Sequence, residues 1–284
     1  MAIMPPWYIS TQPSALNLSV QVQKAAWLCG STLCAANYWY TTSVPSSILG
    51  SGIPYTVVAW VYFYNFYNSS CYSTGGSWGE NYVFYLGHTA QGSDYGGSTF
   101  RGVVFPFSST YGYLGVDESN TANFTTAVPV YANQWVFLWW RYPGSGTTFY
   151  VGAIYPNGTQ YSGSIGLGYS LNVSASNYPA FFLNTIGFSP GPNSCNSNGW
   201  IAYLAFYNVA LSTSQIYAIY QGIRITSNLV MEYWGNNYNP STGVFNDSSG
   251  NNVNLNPGTS PYPNRGCVVW PPIYAGNWPV WTPC

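Results

Sequence analysis

Residues able to do acid–base or metal chemistry are few in this chain. Carboxylates stand at Glu80, Asp94, Asp117, Glu118, Glu232 and Asp247, a single histidine at His88, and cysteines at Cys29, Cys34, Cys71, Cys195, Cys267 and Cys284. Retaining glycoside hydrolysis needs two carboxylates about 5 Å apart across one bond. Only Asp117 and Glu118 are close in sequence, and adjacent strand residues point to opposite faces. The sequence has no G-x-S-x-G, no Gly-rich phosphate loop and no H-E-x-x-H, so the chain is expected not to be an enzyme. Zinc sites need a second C-x-x-C-like pair or several histidines. Here Cys29 and Cys34 are the one close pair, which favours disulfides over metal. Among the connectivities open to six cysteines, the pairing read here is Cys29–Cys34, Cys71–Cys195 and Cys267–Cys284. His88, in Tyr85-Leu-Gly-His88, reads as a loop or strand-end residue.

Composition narrows the partners. Five Lys and Arg and six Asp and Glu stand against 28 Tyr, 13 Trp and 14 Phe, with a net charge of −1. Nucleic acid binding needs clustered cations that are missing here, and so does a polybasic membrane patch. So few titrating groups gain or lose little charge as pH changes, which weakens acid unfolding. Met1 to Trp7 lacks the basic and apolar regions of a signal peptide, and no run is long enough to span a membrane. The even cysteine count and the Asn-x-Ser/Thr sequons at Asn17, Asn68, Asn123, Asn157, Asn172 and Asn246 point outside the cell and to a glycoprotein.

The elements that must position these residues are strands. Trp200 to Tyr207 is a continuous apolar run of strand length, with Ala202, Leu204 and Phe206 on one face and Ile201, Tyr203 and Ala205 on the other. The period then changes. Ser212 with Gln215 has capping-box form, Leu211 and Ile216 fit a hydrophobic staple, Ile216, Ile219 and Tyr220 share a helical face, and Gly222 stops the helix. Further strands are predicted at 55–61, 81–87, 99–106, 110–116, 124–131, 134–142, 147–155, 158–166 and 180–188, each bounded by Gly, Pro, Asn or Ser. Tyr155-Pro-Asn-Gly158 is a turn. Many short strands and one helix predict an all-β sandwich.

These pieces resemble, in order, the laminin-G-like, concanavalin A-like jelly-roll family. The resemblance rests on Tyr55-Thr-Val-Val-Ala-Trp-Val61, Asn133-Gln-Trp-Val-Phe-Leu-Trp-Trp-Arg-Tyr142, Thr147 to Ile154, Asn184-Thr-Ile-Gly-Phe188, and the closing Gly199, Ile201, Leu204, Tyr207, Asn208, Ala210, Leu211, Ser212, Gln215, Ile216, Ile219 and Tyr220. It covers about residues 37–222 and implies antiparallel sheets with one short helix near 212–221. Relatives place hydrolytic carboxylates in an E-x-D-x-x-E strand, which is missing here, as is the legume-lectin metal cluster. Many relatives hold calcium on loops. Asp94, Asp117, Glu118 and Asn120 are the ligands that the resemblance implies, and no other cofactor is expected. A strand followed by (N)-D-x-S-G-N opens the sandwich in that family, whereas here Asn228 to Trp234 and Asp247-Ser-Ser-Gly-Asn251 follow it.

The expected organisation is a sandwich over 1–225, with 1–36 as an N-terminal arm or edge strand, and a Pro/Asn-rich C-terminal extension over 226–284. That extension is the start of a second unit, a strand added to the same sheet, or one donated to a neighbouring copy. Its removal is expected to impair assembly more than folding. The function expected is a non-enzymatic structural protein of an exposed surface: a virion coat, turret, spike or fibre subunit, or an extracellular filament subunit. The uncharged, Tyr- and Asn-rich style is similar to surface and virion proteins of archaea and their viruses. Its partners would be copies of itself and other surface or virion proteins. The alternative is a carbohydrate-binding, lectin-like adhesion module with glycan partners.

Overall fold

Tyr55-Thr-Val-Val-Ala-Trp-Val-Tyr-Phe63 has no polar face, and such a strand is stable only with apolar cover on both sides. The computed structural model supplies both. It describes residues 24–27, 39–66, 81–88, 99–118, 121–168, 170–173, 179–183, 195–196, 198–239, 241–258, 266–268, 273–275 and 278–280. In chain order the strands are β1 (Lys24–Trp27), β2 (Trp39–Thr41), β3 (Gly50–Ser51), β4 (Tyr55–Asn65), β5 (Asn81–His88), β6 (Phe100–Pro106) and β7 (Tyr111–Glu118). There follow β8 (Thr121–Tyr131), β9 (Trp135–Tyr142), β10 (Thr148–Ile154), β11 (Gln160–Gly166), β12 (Asn172–Val173), β13 (Pro179–Leu183) and β14 (Cys195–Asn196). The chain continues through β15 (Asn198–Tyr207), helix α1 (Thr213–Tyr220), β16 (Leu229–Trp234), β17 (Asn256–Pro257), β18 (Gly266–Val268), β19 (Ile273–Ala275) and β20 (Trp278–Val280).

Two sheets face each other. The first runs β11-β10-β9-β4-β15-β1-β18, with β16 also on β15; the second runs β17-β2-β13-β5-β6-β7-β8, with β14 parallel to β5. Between them Val57, Ala59 and Val61 of β4, Leu138 and Trp140 of β9, Leu204 and Phe206 of β15, and Phe84, Phe100, Leu114 and Phe181 of the second sheet form one core. Burying each side chain of this size stabilises the fold by about 1.5–3 kcal/mol.

The other faces of β4, β9 and β15 carry Trp60, Phe137, Trp139 and Tyr203, and α1 covers part of this layer with Ile216, Ile219 and Tyr220. Trp60 stacks on Tyr220 at 5.8 Å. The helix starts and stops as its sequence dictates. Ser212 Oγ accepts from Gln215 N, Gln215 Oε1 accepts from Ser212 N, and both Leu211 and Ile216 are buried. At the far end Gly222 takes φ +89°, donates to the Ile219 carbonyl, and lets Ile223 N reach Ala218 O. Thr56 Oγ1 ties the helix entry to β4, donating to Val209 O and accepting from Leu211 N.

The segment after α1 enters both sheets. β16 pairs antiparallel with β15 over Tyr203–Tyr207, and β17 pairs with β2. Val230, Met231, Tyr233, Phe245, Val253 and Leu255 lie in the inter-sheet core. The Asp247-Ser-Ser-Gly-Asn251 loop is fastened to β16. Asp247 accepts from Glu232 N, Ser249 N and Val253 N, while Asn251 donates to the carbonyls of Leu229 and Val230. Of the three arrangements open from sequence, the strand joins the same sheet of the same chain. β1, expected as an arm or edge strand, lies within the first sheet between β15 and β18. Residues 184–188, read as part of a strand, lie outside the described residues.

Candidate functional site

Asp117, one of the calcium ligands that the resemblance implies, is already engaged. Its carboxylate accepts from Tyr82 Oη at 3.0 Å and pairs with Arg101, which lies directly opposite on β6. Both charged side chains are about 5% exposed, and the guanidinium already bound to this carboxylate repels a second cation. Glu118 ends β7; Asp94 and Asn120 lie outside the described residues. Among the described residues no three His, Cys, Asp or Glu side chains stand together as metal ligands. Cys29, Cys34, Cys71 and Cys284 lie outside the described residues, while Cys195 and Cys267 are backbone positions of β14 and β18. His88 ends β5, as expected of a strand-end residue.

Of the sequons, Asn17 and Asn68 lie outside the described residues. Asn157, Asn172 and Asn246 are exposed and Asn123 is half-buried. Asn157 sits in the β10–β11 turn, where its Oδ1 accepts from Thr159 N.

Of the other carboxylates whose side chains are described, Asp247 is half-buried in its loop and Glu232 is internal. Glu232 is fully buried, accepts from Arg224 Nη2 at 2.6 Å and Nε at 3.0 Å, and accepts from Tyr203 Oη at 3.1 Å. Burial pushes its carboxyl above the usual value, and the Arg224 hydrogen bonds pull it back part of the way. Tyr203, buried behind it, is pushed well above the ordinary tyrosine range by desolvation.

What the residue types alone did not reveal is an open aromatic ledge on the second sheet. The β6–β7 hairpin turns tightly, with Phe107 N and Ser108 N both donating to Tyr111 O. Phe107 at its tip is 68% exposed. Period-2 alternation sends Leu114 and Val116 of β7 into the core and Tyr111 and Tyr113 outward. On β8, Phe124 and Tyr131 are each 38% exposed. The rings form a chain: Phe107 to Tyr111 at 5.2 Å, Tyr111 to Tyr113 at 5.8 Å, Tyr113 stacked on Phe124 at 5.8 Å and 9°, and Tyr111 to Tyr131 at 6.3 Å. Phe105, buried below, props Phe124 at 5.4 Å. Desolvation and the neighbouring tyrosines push the Tyr111 hydroxyl up, so it stays a neutral donor and acceptor. Such a surface offers flat apolar faces with hydroxyls at their edges, suited to partners that are themselves amphipathic and uncharged.

No family model and no curated protein matches this chain by sequence. Solved structures do match in fold. A Bacteroides ovatus protein assigned a carbohydrate-binding role superposes with a TM-score of 0.54 at 16% identity, over 82% of this chain and 57% of that one. A heptameric SAP-like pentraxin from Limulus polyphemus gives 0.49 at 14% identity over 70% and 82%; the LG1–3 region of the laminin α2 chain gives 0.39 at 11% over 63% and 31%. This chain therefore spans little more than half of the Bacteroides protein. A likeness of fold at 16% identity decides nothing about catalysis. With two facing, mostly antiparallel sheets, one α-helix among the described residues and the fold match to the Bacteroides ovatus protein, the chain is an all-β jelly-roll sandwich of concanavalin A-like fold.

Proposed function

We propose that this protein is a glycan-binding module working outside the cell, with Phe107, Tyr111, Tyr113, Phe124 and Tyr131 as its sugar-contacting surface. The observation that carries this is the ledge itself: linked rings left open to solvent, with the charges of the same strands, Arg101 and Asp117, neutralising each other below the surface. Pyranose rings present apolar C–H faces and a rim of hydroxyls, which matches ring faces bordered by tyrosine hydroxyls. The role assigned to the Bacteroides ovatus protein of like fold lends support. Among the described residues no helix is long and apolar enough to cross a membrane.

The test is binding of the protein to an immobilised panel of neutral oligosaccharides, with and without calcium, followed by Phe107→Ala. Losing one stacking ring should weaken binding about tenfold, since aromatic contacts contribute about 0.5–1.5 kcal/mol beyond the area they bury. A panel without any saturable binding, or unchanged affinity in the variant, would refute it. The second reading is a coat, spike or fibre subunit of a virion or filament, favoured by Phe107 alone, whose exposure suits burial against another copy. Phe107→Ala would then dissolve an assembly seen by light scattering and electron microscopy.

A further inference from the structure

On the opposite side of the sandwich a second surface differs in kind. Of the three arginines whose side chains are described, Arg101 and Arg224 are paired with Asp117 and Glu232, and Arg141 pairs with no carboxylate among the described residues. Its partners are the Leu211 carbonyl, to which Nη1 donates at 3.1 Å, and two rings. The guanidinium carbon stands 4.9 Å from the Tyr150 centroid and 5.8 Å from that of Trp139. The register aligns two rows across three strands: Arg141 beside Tyr150 beside Ser164, and Trp139 beside Gly152 beside Ser162. Ser162, Ser164 and Tyr150 are exposed and Arg141 is half-buried. Gly152 is required by the close approach of Trp139, since a Cβ there would fall 2.3 Å from the indole. The indole therefore lies flat over the strand.

We infer that this patch is a second binding site, for an anionic sugar bearing a carboxylate or sulfate group. A guanidinium held by rings on its flat side keeps edge N–H donors free for bidentate recognition of an oxyanion, and its planar fork is already oriented. Tyr150 gives a face for the sugar ring, and the serine hydroxyls flank it. In a chain with eleven charged side chains, the two other described arginines are neutralised internally, which leaves Arg141 as the described guanidinium available to an outside anion. The site shares no residue with the ledge and does not depend on it.

The experiment is calorimetric titration of the whole chain with oligogalacturonate, with its methyl ester, and with chondroitin sulfate oligosaccharide. Arg141→Gln, Arg141→Lys, Tyr150→Ala and Phe107→Ala are the variants. One or both acidic probes should bind saturably, about tenfold or more tightly than the neutral ester, and weaken with added salt. Which acidic probe binds separates carboxylate from sulfate. Arg141→Gln should lose about tenfold or more, Arg141→Lys and Tyr150→Ala less, and Phe107→Ala nothing. In the wild type, the Arg141 side-chain N–H resonance should shift on titration, a readout that survives if Arg141→Gln does not fold. Equal binding of acid and ester, full affinity in Arg141→Gln, an unmoved Arg141 resonance, or no saturation by about 10 mM would each overturn the assignment.

Discussion

A chain ending at Ile225 should not fold. The cut removes Leu229, Val230, Met231, Tyr233, Trp234, Tyr238, Phe245, Val253 and Leu255, each at most 9% exposed. Even at about 1.5 kcal/mol apiece, their burial is comparable to the whole net stability of a domain, about 5–15 kcal/mol. The cut also takes partners from buried polar groups: Trp39 Nε1 loses the Gly243 carbonyl, Tyr203 Oη loses Glu232, and Arg224 loses its carboxylate. The edge of β15 from Tyr203 to Tyr207 loses its β16 ladder. This packing predicts a loss of folding, where the sequence alone led to the expectation that removing 226–284 would impair assembly more than folding. Near-ultraviolet circular dichroism and urea unfolding test it, with the full chain as reference. A cooperative urea transition with native aromatic signal in the shortened chain would refute the reasoning and restore 226–284 as an appendage.

Two further outcomes follow from the buried ion pairs. Asp117→Asn should cost about 3–5 kcal/mol in urea unfolding because it leaves the buried Arg101 charged without the Asp117 carboxylate, whereas replacing both (Arg101→Met with Asp117→Leu) should cost less; a double variant worse than the single would contradict this. Glu232 has a folded pKa above its unfolded value, chiefly through desolvation, so the folded state holds its proton more tightly. Its contribution is full below the ordinary value of 4.5 and is lost as pH rises through the raised one. Relative to Glu232→Gln, the wild type should therefore lose stability from about pH 4 upward in thermal melts, and a difference that is flat with pH would count against it.

Much of the fold was legible because local pattern determines it. β4, β9 and β15 are apolar on both faces, and α1 carries its own cap, staple and stop. The position of Leu229–Leu255 was not legible, since the pairings of β16 with β15 and β17 with β2 join distant parts of the chain and no local period encodes them. The resemblance put Asp117 among loop ligands for calcium, just beyond the strand predicted at 110–116. Counting back from the Phe107–Tyr111 turn would have put it opposite Arg101, where opposite charges on facing strands pair. The ledge escaped for another reason. Alternation at Phe105, Phe107, Tyr111 and Tyr113 announces a strand but not which face another layer covers, and β4 and β9, equally aromatic, are buried on both sides.

The placement of charge gives the two surfaces different physics. Asp117 and Glu232 are consumed by internal arginines, and Asp247 by backbone N–H groups of β16 and of its own loop. The described surface is therefore left to rings, hydroxyls and amides, and contacts made there are dominated by apolar area and hydrogen bonds, which salt barely screens. Arg141 is the exception, and Coulomb attraction at a half-buried guanidinium does respond to ionic strength. A partner held at the ledge would stay bound in a briny or acidic exterior, while one held at Arg141 would be released by salt. Since the two lie on outer faces of different sheets, one glycan chain could not stack on both at once without wrapping the sandwich. Two separate ligands, or a branched surface presenting neutral and acidic sugars on opposite sides, fit the geometry better than a single extended chain.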